Sequence, residues 1–191
     1  LLGIEVRYNS DGSITLHQEK YIQKLVEKFL GGKPQPKVQS NSLPYSNDIQ
    51  RHIIEALDGS TAESPAHPEL VKPYQEKIGG LMYVCRCTRP DVCYAVHLLC
   101  RVLSRPSPAC MAEADRVIAY LARHASIGIT YAAGSSTFHG FADASWEERA
   151  STTGWLTRWQ VAALTWGSRR RRSVALSSCG AEIVSLSEAA K

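Results

Sequence analysis

Near Gly128 the hydrophobic period of this chain changes from helical to strand-like, which divides the sequence into two kinds of structure. Before it, Tyr74, Ile78, Leu81, Met82 and Cys85 recur at helical spacing, and Val92, Val96, Leu99, Val102 and Leu103 do so again after Pro90-Asp91. A third helix follows the Pro106-Ser107-Pro108 break. It carries Met111, Ala114, Val117, Ile118 and Leu121 on one side and Glu113, Asp115 and Arg116 on the other. This helical block ends near His124. Beyond Gly128 the apolar runs are short, at 129–131, 137–142, 153–159 and 161–166, and they predict a β-sheet. Residues 181–190 return to helical spacing through Ile183, Leu186 and Ala190.

At the N-terminal end, Ile4, Val6 and Tyr8 alternate with polar residues, as do Ile14 and Leu16 after Asn9-Ser10-Asp11-Gly12, which predicts a hairpin. Tyr21, Ile22, Leu25, Val26, Phe29 and Leu30 then form the apolar face of a helix that Gly31-Gly32 ends. Residues 33–68 are polar and broken by Pro34, Pro36, Pro44, Pro65 and Pro68. They read as a long connection with at most a short helix at 49–57.

Size and composition bound the function. The 191 residues suffice for one compact domain or two small ones, and a composition of 44% hydrophobic and 21% charged residues supplies a core and excludes a disordered chain. The net charge of +4 permits a polyanionic partner without requiring one. The longest apolar stretch, 92–103, is interrupted by His97 and Arg101 and falls short of the roughly 20 residues that cross a bilayer, so no membrane partner is expected. Leu1 opens the chain without a methionine or a basic leader, which reads as an internal fragment. Five of the six cysteines, Cys85, Cys87, Cys93, Cys100 and Cys110, crowd into the helical block without zinc-site spacing, and Cys179 stands apart. Reduced core thiols and an intracellular location, cytoplasmic or nuclear, are expected.

Four stretches carry a further signal. The first is Leu2-Gly3-Ile4-Glu5 followed by Ile14-Thr15-Leu16-His17-Gln18 and Tyr21. The second, and the most specific, is Tyr74-Gln75-Glu76-Lys77-Ile78-Gly79-Gly80-Leu81-Met82-Tyr83 with Thr88-Arg89-Pro90-Asp91 and Tyr94-Ala95-Val96. Arg116-Val117-Ile118-Ala119-Tyr120-Leu121 is the third. The fourth joins Gly140-Phe141-Ala142-Asp143-Ala144-Ser145-Trp146, Ser151-Thr152-Thr153-Gly154, Thr165-Trp166, Val174-Ala175-Leu176-Ser177-Ser178 and Ala181-Glu182. In this order they resemble the reverse transcriptase and ribonuclease H region of copia-type retrotransposon Pol polyproteins. The chain departs from that pattern at Cys110, where the family usually has histidine, and at Cys179 and Gly180, where it usually has threonine and a second acid.

The resemblance implies an α+β chain in two parts. Residues 1–134 are expected to form the end of a polymerase palm with a helical thumb and connection, and 135–191 the opening of a ribonuclease H-like sheet. For the intact parent it implies RNA-directed DNA synthesis and cleavage of RNA in RNA–DNA hybrids. Magnesium is then the cofactor, and the partners are RNA, DNA, their hybrid and the rest of the polyprotein. The family's Tyr-x-Asp-Asp turn does not occur in this sequence, and two of the ribonuclease H acids are not matched, so the fragment alone is expected to be inactive.

Two-metal hydrolysis needs several carboxylates around ions roughly 3.5–4 Å apart. Asp143 stands where a strand end would hold one rigidly; spacing alone reads it equally as a turn aspartate, and the resemblance favours a metal ligand. Glu182 is the second candidate ligand, against the plainer reading of an acid favoured by the dipole of a helix's first turn. Both are expected to converge on one point. In that picture the strand from 137 lies centrally, with the strands near 153 and 161 antiparallel beside it. The last helix crosses the sheet, anchored by Ile183 and Leu186, and magnesium relieves the repulsion between the two acids. Arg169, Arg170, Arg171 and Arg172 suit phosphate contact, though a run of charge is also an ordinary solvated turn. Trp155 and Trp166 read as core, and none of the six histidines is assigned chemistry. The rival reading is a non-catalytic nucleic-acid-binding or interaction module left from a degraded element.

Overall fold

The computed structural model describes residues 2–31, 43–61, 63–132, 137–144, 152–170 and 178–189. They form six strands, β1 (Glu5–Tyr8), β2 (Ile14–His17), β3 (Ile129–Tyr131), β4 (Phe138–Ala144), β5 (Thr152–Trp159) and β6 (Ala162–Arg170). The six helices are α1 (Glu19–Leu30), α2 (Ile49–Asp58), α3 (Pro68–Cys87), α4 (Cys93–Cys100), α5 (Pro108–Arg123) and α6 (Ser178–Ala189). The chain is mixed α and β, with two three-stranded sheets ordered β1-β2-β3 and β4-β5-β6. Two compact units result, Leu1–Glu5 with His17–Gly128, and Val6–Leu16 with Ile129–Lys191.

The first unit is helical. Ile22 and Leu25 of α1, Ile49 and Ile53 of α2, Leu81 and Val84 of α3, Val96 and Leu99 of α4 and Val117, Ile118 and Leu121 of α5 bury one continuous core. Gly80 lets α1 approach α3, since a Cβ there would lie 2.7 Å from Leu25 Cδ2. Tyr74, wholly buried, donates its hydroxyl to the Leu99 carbonyl at 2.9 Å and so ties α3 to α4. Helix α5 starts at Ser107, whose Oγ accepts the Cys110 N–H at 3.2 Å, with Pro108 in the first turn where its missing N–H costs nothing.

Thr88-Arg89-Pro90-Asp91 makes the corner between α3 and α4, through a single 3₁₀ turn at Pro90–Val92. Arg89 is buried there. Its Nε and Nη2 donate to the two Asp91 oxygens at 3.0 and 2.7 Å, and its Nη1 donates to the His124 carbonyl at 2.8 Å. The guanidinium also lies 5.7 Å from the centre of the Tyr120 ring, whose hydroxyl donates to Asp91 at 3.1 Å. Beside it Thr88 Oγ1 donates to the buried Gln18 Oε1 at 2.9 Å.

Other buried charges are answered in the same way. Glu113 accepts the Ser46 N–H at 3.1 Å, the Ser46 hydroxyl, and His52 Nδ1 at 3.2 Å. Lys77 pairs with Asp115. Cys85 and Cys110 are buried and Cys87, Cys93 and Cys100 partly so, all as free thiols. The hydrogen bond to Cys93 and burial push the Cys85 thiol up, and burial pushes Cys100 up to about 11.

In the second unit, Gly12 at φ 81° closes the turn between β1 and β2, and Asp11 Oδ1 accepts the Ser13 N–H at 3.0 Å. Strand β2 pairs antiparallel with β3, and their facing Thr15 and Thr130 hydroxyls lie 2.8 Å apart. In the other sheet β4 pairs antiparallel with β5 and β5 with β6. The strand in the middle is therefore β5, not β4 as the sequence suggested, because a hairpin-connected trio pairs in chain order. Trp155 and Trp166 are half-buried; the Trp155 ring lies over its cross-strand partner Gly167, where a Cβ would come within 2.3 Å of it.

Helix α6 packs on β4 and β5 through Ser185, whose buried hydroxyl donates to the Asp143 carbonyl at 2.9 Å. Ile183 and Leu186 do not anchor it: they are 62% and 60% exposed. Among the described side chains of α6, Ser185 meets the strand carbonyls, while Ile183 and Leu186 face outward.

Two outcomes follow for the helical unit. Replacing Arg89 with Ala leaves the Asp91 carboxylate and the His124 carbonyl without their donor, and urea unfolding should show a loss of about 3 kcal/mol. A loss within the scatter of surface substitutions would mean that the corner does not depend on the guanidinium. The raised thiol of Cys100 sets a pH dependence, since the native state keeps a proton that the unfolded chain gives up. The stability it contributes is full below the ordinary value of 9.0 and is lost as pH rises through about 11. Unfolding measured across that window should show this decline, and Cys100→Ala should make it shallower, the raised Cys85 and Cys87 thiols supplying the rest.

Candidate functional site

Strand alternation decides where Asp143 stands. It shares one face of β4 with His139 and Phe141, and its cross-strand neighbours are Gly154 on β5 and, beyond, Ser168 on β6. The opposite face carries Thr153 and Thr157, both buried, whereas Asp143 is exposed. The small neighbours leave its carboxylate uncrowded.

Glu182 lies on α6 one turn before Ser185, the residue seated at the Asp143 carbonyl. The helix thus meets β4 at this residue. Glu182 itself is exposed, with Ile183 next to it on the outer side. No described hydrogen bond or ion pair joins Glu182 to Asp143. Among the described residues no group of three or more His, Cys, Asp or Glu side chains is placed to hold a metal ion.

Arg169 and Arg170 form the exposed end of β6, opposite Thr153 and Thr152. They are strand residues rather than part of a turn. Arg171 and Arg172 lie outside the described residues, as does Trp146. The six histidines form no shared site, although His52 answers Glu113 and His139 stacks on Phe141 with ring centroids 6.4 Å apart.

Two features escaped sequence reasoning. Ser185 had no signal, since a serine in an apolar helix pattern reads as neutral until its strand partner is known. Arg158 sits over the Phe141 ring at 5.8 Å, a pairing across two strands, and only the register reveals it.

No family model matches the chain, and no solved structure matches it. Among known proteins it is similar to the retrovirus-related Pol polyprotein from transposon TNT 1-94 of Nicotiana tabacum, 28% identical over 198 residues, covering all of this chain and 14% of that polyprotein. It is 29% identical over 193 residues to the putative transposon Ty5-1 protein of Saccharomyces cerevisiae, covering 98% of this chain and 58% of that protein. It is also 37% identical over 122 residues to the secreted RxLR effector protein 161 of Plasmopara viticola, covering 61% of this chain and 86% of that protein. The chain thus spans a small part of the tobacco polyprotein and somewhat over half of the yeast protein. Similarity to transposon polyproteins along nearly its entire length, on a mixed α and β fold, places the chain in the Pol polyprotein family of copia-type retrotransposons.

Proposed function

We propose that this segment joins the end of a reverse transcriptase, its palm edge, thumb and connection, to the opening strands of a ribonuclease H domain. In the intact polyprotein it would work on RNA, DNA and RNA–DNA hybrids. One observation carries the reading: the similarity to Pol polyproteins runs along nearly the whole chain, across the helical unit and the three-stranded sheet alike. The seating of α6 on β4 at Asp143 supports it, because a carboxylate strand crossed by a carboxylate helix is the arrangement such a nuclease would need.

In this reading Asp143 and Glu182 are two of the acids that serve magnesium in the intact polyprotein, and Arg169 and Arg170 contact phosphate. No catalytic step is assigned to the described residues, among which no three His, Cys, Asp or Glu side chains are grouped to hold a metal ion. That same observation favours a second reading, a non-catalytic nucleic-acid-binding module, and the two share the prediction of a polyanionic ligand.

Binding of an RNA–DNA hybrid, followed by fluorescence anisotropy over a range of salt concentrations, tests the shared part. Affinity should fall linearly on a log–log plot. Replacing Arg169 and Arg170 with Ser should reduce the slope by roughly one unit for each arginine that touches phosphate. An unchanged slope would remove these residues from the interface, and absence of binding would remove the nucleic-acid reading.

A further inference from the structure

The β4-β5-β6 sheet carries a cluster that neither the candidate carboxylates nor the arginine pair uses. His139 and Phe141 point from the same face of β4, and their rings stack at an interplanar angle of 29°. Arg158 is the cross-strand partner of His139 on β5, which brings its guanidinium diagonally over Phe141, 5.8 Å from the ring centre. Phe141 is 51% exposed and His139 is exposed as well. Among the described residues no side-chain hydrogen bond or ion pair engages Arg158, and its Nε is buried without a partner.

Phe141 is half in water, and the Arg158 guanidinium meets its ring while Nε has no hydrogen-bond partner. Together they present a flat π surface and a positive charge within one residue's reach. A ligand that satisfies both must carry a flat aromatic group and an anion on the same short unit, which is the chemistry of a nucleotide. The bases of a duplex are already stacked on both sides, so only an unpaired base can place a face on Phe141. Charge agrees: the three strands carry Arg158, Arg169 and Arg170 against the single acid Asp143. Arg170 is on the same face as Arg158, since its partner Thr152 lies six residues along β5, a separation of roughly 20 Å that a few nucleotides can span.

We propose that this sheet face binds single-stranded nucleic acid, with one base stacked on Phe141 and an adjoining phosphate at Arg158. The class of partner rests on the nucleic-acid reading above, whereas the surface and the preference for a single strand do not.

A labelled oligothymidylate, titrated with the full chain at several salt concentrations and competed with an RNA–DNA hybrid of equal length, tests it. Phe141→Ala should weaken binding about tenfold with little change in salt slope, and Phe141→Trp should restore it. Arg158→Gln should lower the slope by roughly 0.7. Near-ultraviolet circular dichroism of each variant establishes that the sheet is intact. Equal affinity of the parent, Ala and Trp proteins would overturn the stacking surface, as would a Trp variant no tighter than the Ala variant. If the hybrid binds and Phe141 is indifferent, the duplex reading stands and this one falls. If neither nucleic acid binds, both fall.

Discussion

The buried guanidinium of Arg89 is the interaction on which the helical unit depends. It sits where α3 turns into α4 and where α5 ends, and it answers three groups at once: Asp91 in the turn, the His124 carbonyl at the end of α5, and the Tyr120 ring. Burial of an arginine is costly unless its donors are matched, and here the planar fork meets a carboxylate with two parallel bonds. Lysine, a single point of charge, would not span the same acceptors. The corner residue Pro90 sets the turn, and Thr88 passes the polar contacts on to Gln18, just before α1.

The remaining polar contacts of this unit follow the same logic. Glu113 lies on the side of α5 that periodicity assigns to solvent, and Lys77 is a polar residue beside the apolar Ile78 and Leu81, yet both are buried. Glu113 holds the segment before α2 by accepting from Ser46 and His52, and Lys77 reaches Asp115 across the interface of α3 and α5. Hydrophobic burial can be satisfied by several helix rotations. A buried charge with one available partner can be satisfied by few, so these pairs select the packing that the apolar residues make stable.

In the sheet the division of labour differs. Thr153 and Thr157 are buried on one face, and the other face keeps Asp143, Phe141 and His139 in reach of solvent. Ser185 of α6 bonds the strand carbonyls, and Ile183 and Leu186 remain on its outer side.

Much of this was legible in the residues. The periods of three and four and of two located the helices and strands, and the change of period at Gly128 coincides with one of the three points where the two compact units part along the chain. Order of motifs was enough to indicate the Pol family, because a series of short matches in one sequence order is improbable by chance. Tertiary structure alone decided that the 6–16 hairpin pairs with β3, that β5 is the middle strand, that α6 turns Ser185 inward, and that Arg158 meets Phe141. The physical reason is common to all four. Period reports which side of an element is apolar, whereas register, strand order and helix rotation are set by hydrogen bonds and ring contacts between segments far apart in the chain, and these have no local signature.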